Sequence, residues 1–433
     1  MKNKTLLLVG GTDDMVRKAK ALGLRVLVLQ HPERAAAAPC PSADVLRIVD
    51  YTDLAAVAAA AGELRESDGF AAAVSFNEPA LEAAGHVNDL FGLGGTGLAV
   101  TRRMRDKWAM RRALDGSGLA PVGAAPLTER AGIDRFADRY GYPLIVKPAD
   151  GTASYGVFRL DGPRDADAVW QQVTALRGHR MQRASMPLSV GNFIIEQYVD
   201  GAEFSVECFS FAGRHVVIAV TEKLTADEHF AELGHLMPAR LDAHAEAALR
   251  EATSRLLDAV GLRDGLSHTE IRLGRDGPAI IETHNRFGGD GIQRLVEGAF
   301  GVDLMTYLAG WPFRLVPELP DIPRPVRAAS TVMLTAEPGR VESITGVDEA
   351  LAAPDVLDVQ LWVEPGDPVR PLRDNWDRLA LVAVTGADAG TAYRRGEQLI
   401  RDTLRILVRG DDGVVRPARI AVPADAVTVE VAA

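Results

Sequence analysis

Four short stretches of the sequence contain residues that could hold a nucleotide and a metal ion, and the first is a glycine-rich loop. The loop GTASYG, residues 151–156, has two glycines with four residues between them, as a phosphate-binding P-loop does. A P-loop continues with lysine and then serine or threonine, whereas Val157 and Phe158 follow here and Lys147 comes before the loop. Small residues let backbone N–H groups approach an anion, and Ser154 adds a hydroxyl. Taken alone, the stretch favours a plain hairpin between the strands IVKPA and GVFRL.

The second stretch is IIEQYVDGAE, in which two carboxylates flank a turn. Glu196 ends a predicted strand, and Glu203 lies seven residues later, beyond Asp200-Gly201. Adenine needs an acceptor for its amino group and ribose needs an acceptor for its hydroxyls, so the two carboxylates suit a nucleoside. A surface hairpin with solvated acids is the alternative, and for this stretch alone it is the better interpretation.

The third stretch, SHTEIRLGRDGPAIIETHN, places two glutamates on a predicted hairpin. Glu270 and Glu282 could project onto one face of its two antiparallel strands. Two like charges at close range are costly unless a cation lies between them. Mg²⁺ takes oxygen ligands and usually keeps waters and substrate phosphates. Exposed strand acids are the alternative, which the apolar residues flanking both glutamates disfavour.

The fourth stretch, NRFGGDGI, combines an arginine with two glycines. Arg286 offers a bidentate fork for a carboxylate or an acyl phosphate. Gly288 and Gly289 free backbone N–H groups for an anion, and a helix is predicted to begin at about Ile292. A loop with a structural arginine explains this stretch equally well.

The elements that would position these residues begin with a parallel α/β layer. In the first hundred residues, TLLLVGG, LRVLVLQ, VLRIVD and AAAVSF alternate with helical patterns, which predicts a parallel sheet. GLGGTG, residues 92–97, matches the dinucleotide-binding glycine pattern, but it follows a helix and not a strand, so we interpret it as a linker. A basic amphipathic helix is predicted over residues 101–118, and a strand-rich region follows it. A proline-rich linker, WPFRLVPELPDIPRP, separates that region from the last part of the chain.

Composition excludes several classes of protein. The 433 residues include 48 Lys and Arg against 59 Asp and Glu, a net charge of −11, which disfavours nucleic-acid binding but not small phosphate ligands. The two cysteines, Cys40 and Cys208, sit in no CxxC or Cys/His cluster, which argues against a zinc site and fits a reducing cytoplasm. The apolar run near the N-terminus is too short for a signal peptide, and we expect no membrane span.

Taken in order, the four stretches resemble the ATP-grasp superfamily, in particular its carboxylate–amine ligases and, among these, the L-amino-acid ligases that form dipeptides. The resemblance covers most of the chain, including SFNEPALEAAG, RDKWAMRRAL, TEKLTADEHFAELGHLMPARL and GDPVRPLRDNWDRLALVAVTGADAGTA. It implies a multidomain α/β and α+β fold. The implied parts are an N-terminal parallel, Rossmann-like α/β domain (1–100), an ATP-grasp small subdomain with a glycine-rich flap (101–190), an ATP-grasp catalytic subdomain (191–315), and a C-terminal α+β region with a tail (316–433).

The resemblance also implies roles for single residues. The glycine-rich loop becomes a flap that closes over the phosphates of ATP, which is why its lysine precedes it. The residues implied to bind ATP are Lys107 and Lys147 at the phosphates, Ser154 and Gly156 in the flap, Glu196, Gln197 and Val199 at adenine, and Glu203 at ribose. Mg²⁺ or Mn²⁺ would bind Glu270, Glu282 and Asn285. Arg286 would face the carboxylate and its acyl phosphate with Gly288 and Gly289, and Lys223 and His235 would lie on the substrate side.

One departure from the family pattern concerns the metal site. The family reads Glu-x-Asn, whereas Glu282 is followed here by Thr283 and His284, with Asn285 one residue later. Mg²⁺ prefers oxygen donors to imidazole. The third metal ligand therefore stays open between Asn285 and His284.

The implied reaction joins a small-molecule carboxylate, such as that of an amino acid, to an amine through an acyl phosphate, releasing ADP and phosphate. Ser75, Asn77 and Glu78 are further pocket candidates, and a homodimer is compatible with the family. Two alternatives stay open. A similar ATP-grasp carboxylase would activate bicarbonate, although the chain has no biotinyl-lysine motif beyond Met1-Lys2. A nucleotide-binding protein without catalysis has only His284 in its favour.

Overall fold

The first hundred residues form a parallel sheet flanked by helices in the computed structural model of the chain. The structure describes residues 4–37, 39–119, 121–179, 190–226 and 229–422. Leu6 and Leu8 belong to one apolar cluster, while Leu7 and Val9 belong to another on the opposite face, as expected for a strand covered on both sides. In the order β3-β2-β1-β4, the strands and the helices between them are β1 (Thr5–Val9), α1 (Asp13–Ala21), β2 (Arg25–Gln30), α2 (Pro32–Ala37), β3 (Val45–Ile48), α3 (Leu54–Ser67) and β4 (Ala72–Val74).

Three helices follow this sheet, and the last two stand where the sequence predicts a single basic helix over residues 101–118. They are α4 (Leu81–Phe91), α5 (Leu98–Arg105) and α6 (Lys107–Leu114), and the glycine stretch 92–97 links the first two. The prediction of a single helix is wrong. The Asp106 carboxylate accepts a hydrogen bond from the Ala109 backbone N–H at 2.8 Å and so caps a new helix. The break makes Lys107 the first residue of α6.

A small antiparallel sheet carries the glycine-rich loop. Its strands, in the order β5-β8-β6-β7, and its two helices are β5 (Ala124–Leu127), α7 (Ala131–Tyr140), β6 (Leu144–Pro148), β7 (Phe158–Leu160), α8 (Ala166–Leu176) and β8 (Phe193–Gln197). Val146 pairs with Phe158, so the loop joins two neighbouring strands of one hairpin. The hairpin and the flap interpretations of this loop therefore describe the same segment.

A nine-stranded sheet forms the centre of the molecule. It runs in the order β13-β12-β9-β10-β11-β14-β18-β16, with β21 against β14. Its elements are β9 (Ala202–Phe211), β10 (Arg214–Thr225), β11 (Glu232–Met237), α9 (Ala243–Val260), β12 (Gly265–Gly274), β13 (Gly277–His284), α10 (Ile292–Phe300), α11 (Leu304–Gly310), β14 (Ala328–Thr335), β16 (Val356–Leu361), β18 (Ala380–Gly386) and β21 (Arg419–Ile420). His235 of β11 pairs with Thr331 of β14, so the sheet continues across the division predicted at residue 316.

The rest of the C-terminal region forms a smaller sheet of order β17-β15-β19-β20. Its strands are β15 (Gly339–Thr345), β17 (Pro368–Val369), β19 (Arg405–Gly410) and β20 (Val415–Pro417). The two helices of the same region pack on the central sheet, α12 (Val347–Leu351) against β16 and α13 (Ala389–Asp402) against β14 and β18. The last part of the predicted tail, residues 423–433, lies outside the described residues. Within the described ranges, no helix combines the length and the apolar character needed to cross a bilayer.

Candidate active site

A cleft between the small sheet and the central sheet collects most of the residues predicted to bind ATP and metal. A second, wider cleft adjoins it and reaches the N-terminal sheet and the C-terminal region. The predicted residues that line the first cleft are Lys107, Lys147, Ser154, Glu196, Gln197, Val199, Glu203, Glu270 and Glu282. The wider cleft is lined by Arg286, Gly288 and Gly289, and it also contains Glu270 and Glu282.

The flap between β6 and β7 reaches across the first cleft to its opposite wall. The Ser154 hydroxyl donates a hydrogen bond to the Phe230 carbonyl at 3.0 Å. Ala153 and Ser154 have φ angles of 59° and 58°, in the left-handed region that residues other than glycine seldom adopt, and Gly156 has a φ of 72°. The flap therefore depends on a backbone conformation that only surrounding contacts stabilise.

Glu196, predicted to face adenine, is held between two cations. Arg111 Nε donates to its Oε1 at 2.7 Å, and Lys147 Nζ lies 2.6 Å from its Oε2. Burial alone would raise the pKa of this carboxyl, but the charges of Arg111 and Lys147 lower the pKa of Glu196 to about 2. The sequence interpretation missed Arg111. Its spacing of four residues from Lys107 on α6, which places both on one helix face, was the available signal.

Glu270 and Glu282 face each other across β12 and β13, as the sequence predicts. The two residues are direct register partners. Lys107 Nζ lies 2.7 Å from Glu282 Oε2, and Lys223 Nζ lies 2.8 Å from Glu270 Oε1. Burial raises the pKa of Glu282, but Lys107 and His284 hold it well below its usual range. No group of three or more His, Cys, Asp or Glu side chains in the described part of the chain is arranged to hold a metal ion unaided. Two facing carboxylates nevertheless fit a divalent ion that takes its remaining ligands from water and phosphate.

Lys223 and His235 lie behind the cleft and not at its surface. Lys223 Nζ contacts three carboxylates, Glu203 at 2.7 Å, Glu270 at 2.8 Å and Glu232 at 3.1 Å. Burial lowers the pKa of Lys223, but these carboxylates raise it well above its usual value, so it is an ammonium ion. His235 is fully buried, and its Nε2 lies 2.8 Å from Glu232 Oε2. His235 therefore positions Glu232 and does not reach the cleft, which corrects its predicted catalytic role.

Arg286 reaches the wider cleft from the segment after β13 and meets Glu78 of the N-terminal domain. Its Nε lies 2.5 Å from Glu78 Oε2, while Arg105 Nε lies 3.0 Å from Glu78 Oε1. Burial raises the pKa of Glu78, but the nearby His284 and Arg286 charges hold it well below its usual range. The N-terminal domain thus contributes a fixed carboxylate to the site.

Asn285 does not join the metal-side residues, contrary to one of the two ligand predictions. Its Nδ2 donates to Thr101 Oγ1 at 3.2 Å, and the residue lines a separate cavity beside Trp311. Side chains alternate along an extended strand, so His284 and Glu282 share the other face. His284 Nε2 lies 3.2 Å from Glu282 Oε1.

Two sequence-family models match the chain, an ATP-grasp domain over residues 140–294 and L-amino acid ligase C-terminal domain 2 over residues 332–408. A curated relative, the uncharacterized protein y4rH of Sinorhizobium fredii, is 31% identical over 349 residues, covering 79% of this chain and 70% of the relative. The chain belongs to the ATP-grasp ligases. The predicted class, an ATP-dependent carboxylate–amine ligase similar to the L-amino-acid ligases, is confirmed.

Two further comparisons place the ligase more closely. Alanine–anticapsin ligase of Bacillus subtilis is 28% identical over 229 residues, which cover 50% of this chain and 48% of the relative. The match thus spans about half the length of that relative. The crystal structure of L-amino acid ligase from Bacillus licheniformis superposes with a TM-score of 0.79 at 22% identity and covers 95% of this chain and 100% of the other. This likeness confirms the predicted fold class.

His268 and Glu207 form a buried pair in the ligase that sequence interpretation missed. His268 Nδ1 makes a short hydrogen bond to Glu207 Oε1, and its Nε2 lies 3.4 Å from Glu270 Oε1. Burial lowers the pKa of His268, but the two carboxylates raise it to about 10. The Gly288 N–H donates to Glu207 Oε2 at 3.1 Å, so that N–H is already engaged instead of being free for an anion. A Cβ at Gly288 would lie 2.8 Å from His268 Nδ1, which explains the glycine.

The C-terminal region of the ligase also reaches the site, through the segment LRDNWDRL. Asn375 Oδ1 accepts a hydrogen bond from the Glu232 N–H at 2.8 Å, and the Asn375 N–H donates to the Ala153 carbonyl in the flap at 3.2 Å. Arg378 donates to both oxygens of Asp290, at 2.7 and 2.8 Å. The sequence assigned this segment to the family but gave it no role. It links the flap, Glu232 and the glycine loop of the wider cleft.

Proposed function

We propose that the ligase joins the carboxylate of one amino acid to the amine of a second small molecule through an acyl phosphate, with release of ADP and phosphate. The observation that carries the proposal is the junction of the two clefts. The narrow cleft holds the predicted nucleotide residues, the wider one can hold two small substrates, and Glu270 and Glu282 line both. The transfer of a phosphoryl group from ATP in the narrow cleft to a carboxylate in the wider cleft would therefore take place next to these glutamates.

In this proposal, Lys107 and Lys147 neutralise phosphate charge, and Glu196, Gln197, Val199 and Glu203 hold the nucleoside. Glu270 and Glu282 would hold Mg²⁺ or Mn²⁺, which offsets the negative charge of the phosphates. The chain contributes mainly position and charge, as expected for phosphoryl transfer, which needs little covalent help from the protein. The flap, tied to Phe230 and Asn375, would keep water from hydrolysing the acyl phosphate.

Cations in the wider cleft support carboxylate-bearing substrates. Arg286 lies next to the glycine loop, within reach of the junction of the clefts. Arg34 and Arg370 line the same cleft from the N-terminal and C-terminal parts, and neither side chain makes an ion pair within the described ranges. Arg34 Nε is buried and has no hydrogen-bond partner there. These guanidinium groups suit the free carboxylate that an amino acid keeps when its amine reacts.

The C-terminal match to the L-amino acid ligases supports amine acceptance over the bicarbonate alternative. The name of alanine–anticapsin ligase says that it joins alanine to anticapsin, another pairing of two small molecules. A complete set of lysines and carboxylates in the first cleft supports turnover over a non-catalytic nucleotide binder. A cytoplasmic location and a homodimer stay predictions from the sequence.

The experiment that tests the proposal measures ADP release from Mg-ATP and Mn-ATP over single and paired amino acids, with bicarbonate as a separate arm. We expect release that needs a carboxylate and an amine together, with the amide product detected by mass spectrometry. Release that needs bicarbonate alone would overturn the proposal in favour of a carboxylase. Tight ATP binding with no release for any pair would overturn it in favour of a non-catalytic binder.

A further inference from the structure

A third cavity, with a volume of about 240 Å³, lies between the N-terminal domain and the central sheet. Its wall comes from β4, α4, the start of β12, α11 and the glycine stretch 92–97, and none of the described residues that line it also lines either cleft. Gly94 and Gly95 have φ angles of 75° and 79°, so this part of the wall depends on glycine. The volume is below the roughly 300–1,000 Å³ of pockets for drug-sized ligands, which suits a smaller molecule.

Two side chains in the wall of this cavity have hydrogen-bond acceptors without a partner. The carbonyl oxygens of Asn88 and Asn285 are buried and accept no hydrogen bond within the described ranges. The other end of each amide fixes its orientation. Asn88 Nδ2 donates to the Thr96 carbonyl at 3.1 Å, and a carbonyl can only accept. Asn285 Nδ2 donates to the Thr101 hydroxyl, whose own proton goes to the Gly97 carbonyl. Because an unsatisfied buried acceptor is costly, both oxygens fit a ligand with N–H groups.

The wall also contains one carboxylate and one guanidinium group, and neither makes an ion pair in the part of the chain that the structure describes. Asp264 Oδ1 accepts hydrogen bonds from Trp311 Nε1 at 2.7 Å and from the Ala212 N–H at 3.0 Å. The exposed Arg314 guanidinium lies 3.7 Å from the centre of the Trp311 ring. Trp311 therefore contacts both charged groups. Two opposite charges that do not neutralise each other suit a ligand that itself carries both charges.

The ligand must also match an apolar surface, because much of the remaining wall is formed by Val74, Leu81, Leu93, Phe209, Leu266 and Leu308. We propose that the cavity binds a free α-amino acid with an apolar side chain, at a site separate from the active site. Its carboxylate contacts Arg314, its ammonium group faces Asp264 and the two asparagine oxygens, and its side chain packs on the apolar wall. A simple carboxylate would leave the acceptors without a partner, and a simple amine would leave Arg314 without one.

The test uses the full-length ligase with its five tryptophans replaced by 5-fluorotryptophan. Trp311 lines the cavity, whereas Trp362 and Trp376 line the wider cleft, so ¹⁹F NMR reports on the two sites separately. Single substitutions to phenylalanine assign the signals. L-leucine is the probe, and we expect it to shift the Trp311 resonance saturably in the absence of ATP. 4-Methylpentanoate, which lacks the amine, and L-leucinamide, which lacks the carboxylate, should each bind about tenfold more weakly.

A variant tests the charge that would hold the carboxylate. Arg314→Gln should raise the dissociation constant of L-leucine, measured at Trp311, by about tenfold because the ion pair with the ligand is lost. Arg34→Gln makes the same change at an arginine of the wider cleft and is the matched control. It should leave the dissociation constant measured at Trp311 unchanged.

Three results would overturn the inference. A Trp311 resonance that stays unchanged up to the solubility limit of L-leucine would show that no amino acid enters the cavity, and a response at Trp362 and Trp376 in the same titration would leave the proposed ligase function standing. Equal affinities for L-leucine and 4-methylpentanoate would replace the amino acid by a simple carboxylate. Weaker binding in Arg34→Gln but not in Arg314→Gln would trace the Trp311 shift to the wider cleft. The wild-type titration needs no variant, so a misfolded Arg314→Gln protein would not prevent the decision.

Discussion

Two buried charge clusters on either side of the nucleotide cleft have opposite compositions. The Glu196 cluster, made of Glu196, Arg111 and Lys147, places two cations around one carboxylate. The Lys223 cluster, made of Lys223, Glu203, Glu232 and Glu270, places three carboxylates around one lysine, and Arg272 is a second partner of Glu203 at 3.1 Å. A buried charge needs a partner, and an excess of one sign leaves capacity for a ligand of the other.

The difference separates two tasks within one cleft. The cation-rich Glu196 cluster lies beside the flap and suits the phosphates of ATP. The carboxylate-rich Lys223 cluster lies beside Glu282 and suits a divalent ion. Each of the following predictions changes a residue of one cluster or, in the last case, a residue outside both clusters.

The largest expected effect comes from the carboxylate-rich side. Glu282→Gln removes the residue that faces Glu270 and leaves Lys107 without its ion-pair partner. We expect ADP formation to fall by about 100- to 1,000-fold, because charge stabilisation in the transition state is lost. A coupled ADP assay measures the rate. Glu342→Gln, at an exposed glutamate paired with Arg409, is the matched control and should keep the wild-type rate. Near-normal activity of Glu282→Gln would contradict the assignment of Glu282 to the active site.

The cation-rich side is tested by Lys147→Met. Loss of a charge-assisted contact to phosphate should raise KM for ATP by about 10- to 100-fold, while KM for the amine changes little. Steady-state kinetics with each substrate varied in turn separates the two constants. Lys18→Met, which removes a lysine paired with Asp303 outside the clefts, should leave both constants unchanged. Equal increases in both KM values would point to general damage and not to phosphate binding.

The Glu196 cluster also predicts a pH dependence of stability. The pKa of Glu196 is about 2 in the folded chain, below its usual value of 4.5, so its ionised form stabilises the fold above pH 4.5. That stability is lost as the pH falls from 4.5 through 2, by about 3 kcal/mol at most. Urea unfolding at several pH values should show a flatter profile in this window for Glu196→Gln. An unchanged slope in the variant would mean that Glu196 is not the ionised partner of Arg111 and Lys147.

The smallest expected effect concerns Asn285, which lies outside both clusters. Asn285→Ala removes the hydrogen bond to Thr101 and should lower the free energy of unfolding by about 1 kcal/mol. Mn²⁺ affinity, measured by calorimetry, should stay within about twofold of wild type because the side chain faces away from Glu282. A tenfold loss of Mn²⁺ affinity would place Asn285 back in the metal site.

Local patterns predicted one part of the site well. The Glu270 and Glu282 pair follows from a hairpin with alternating side chains, and the flap follows from a glycine-rich stretch between two short strands. The fold class followed from the same alternation of apolar strands and helices together with the family resemblance. These features depend on residues close together in sequence.

The missed residues depend on contacts between distant parts of the chain. Asn375 bonds Glu232 across 143 residues, and His268 bonds Glu207 across 61. Arg111 shares a face of α6 with Lys107, a spacing that the sequence interpretation overlooked, but its bond to Glu196 spans 85 residues. His235 was placed in the site by resemblance, and only the pairing of β11 with β14 buries it behind Glu232. Such contacts leave no periodic signal in the sequence.

The central claim is that a carboxylate is phosphorylated before an amine displaces the phosphate. It is tested most directly with an amino acid whose carboxylate oxygens are ¹⁸O, incubated with Mg-ATP or Mn-ATP and an amine that supports turnover. The account predicts that each phosphate released carries one ¹⁸O atom and that the amide keeps the other, both measured by mass spectrometry. Unlabelled phosphate alongside a labelled substrate would contradict the account, because ATP would then be cleaved without an acyl phosphate.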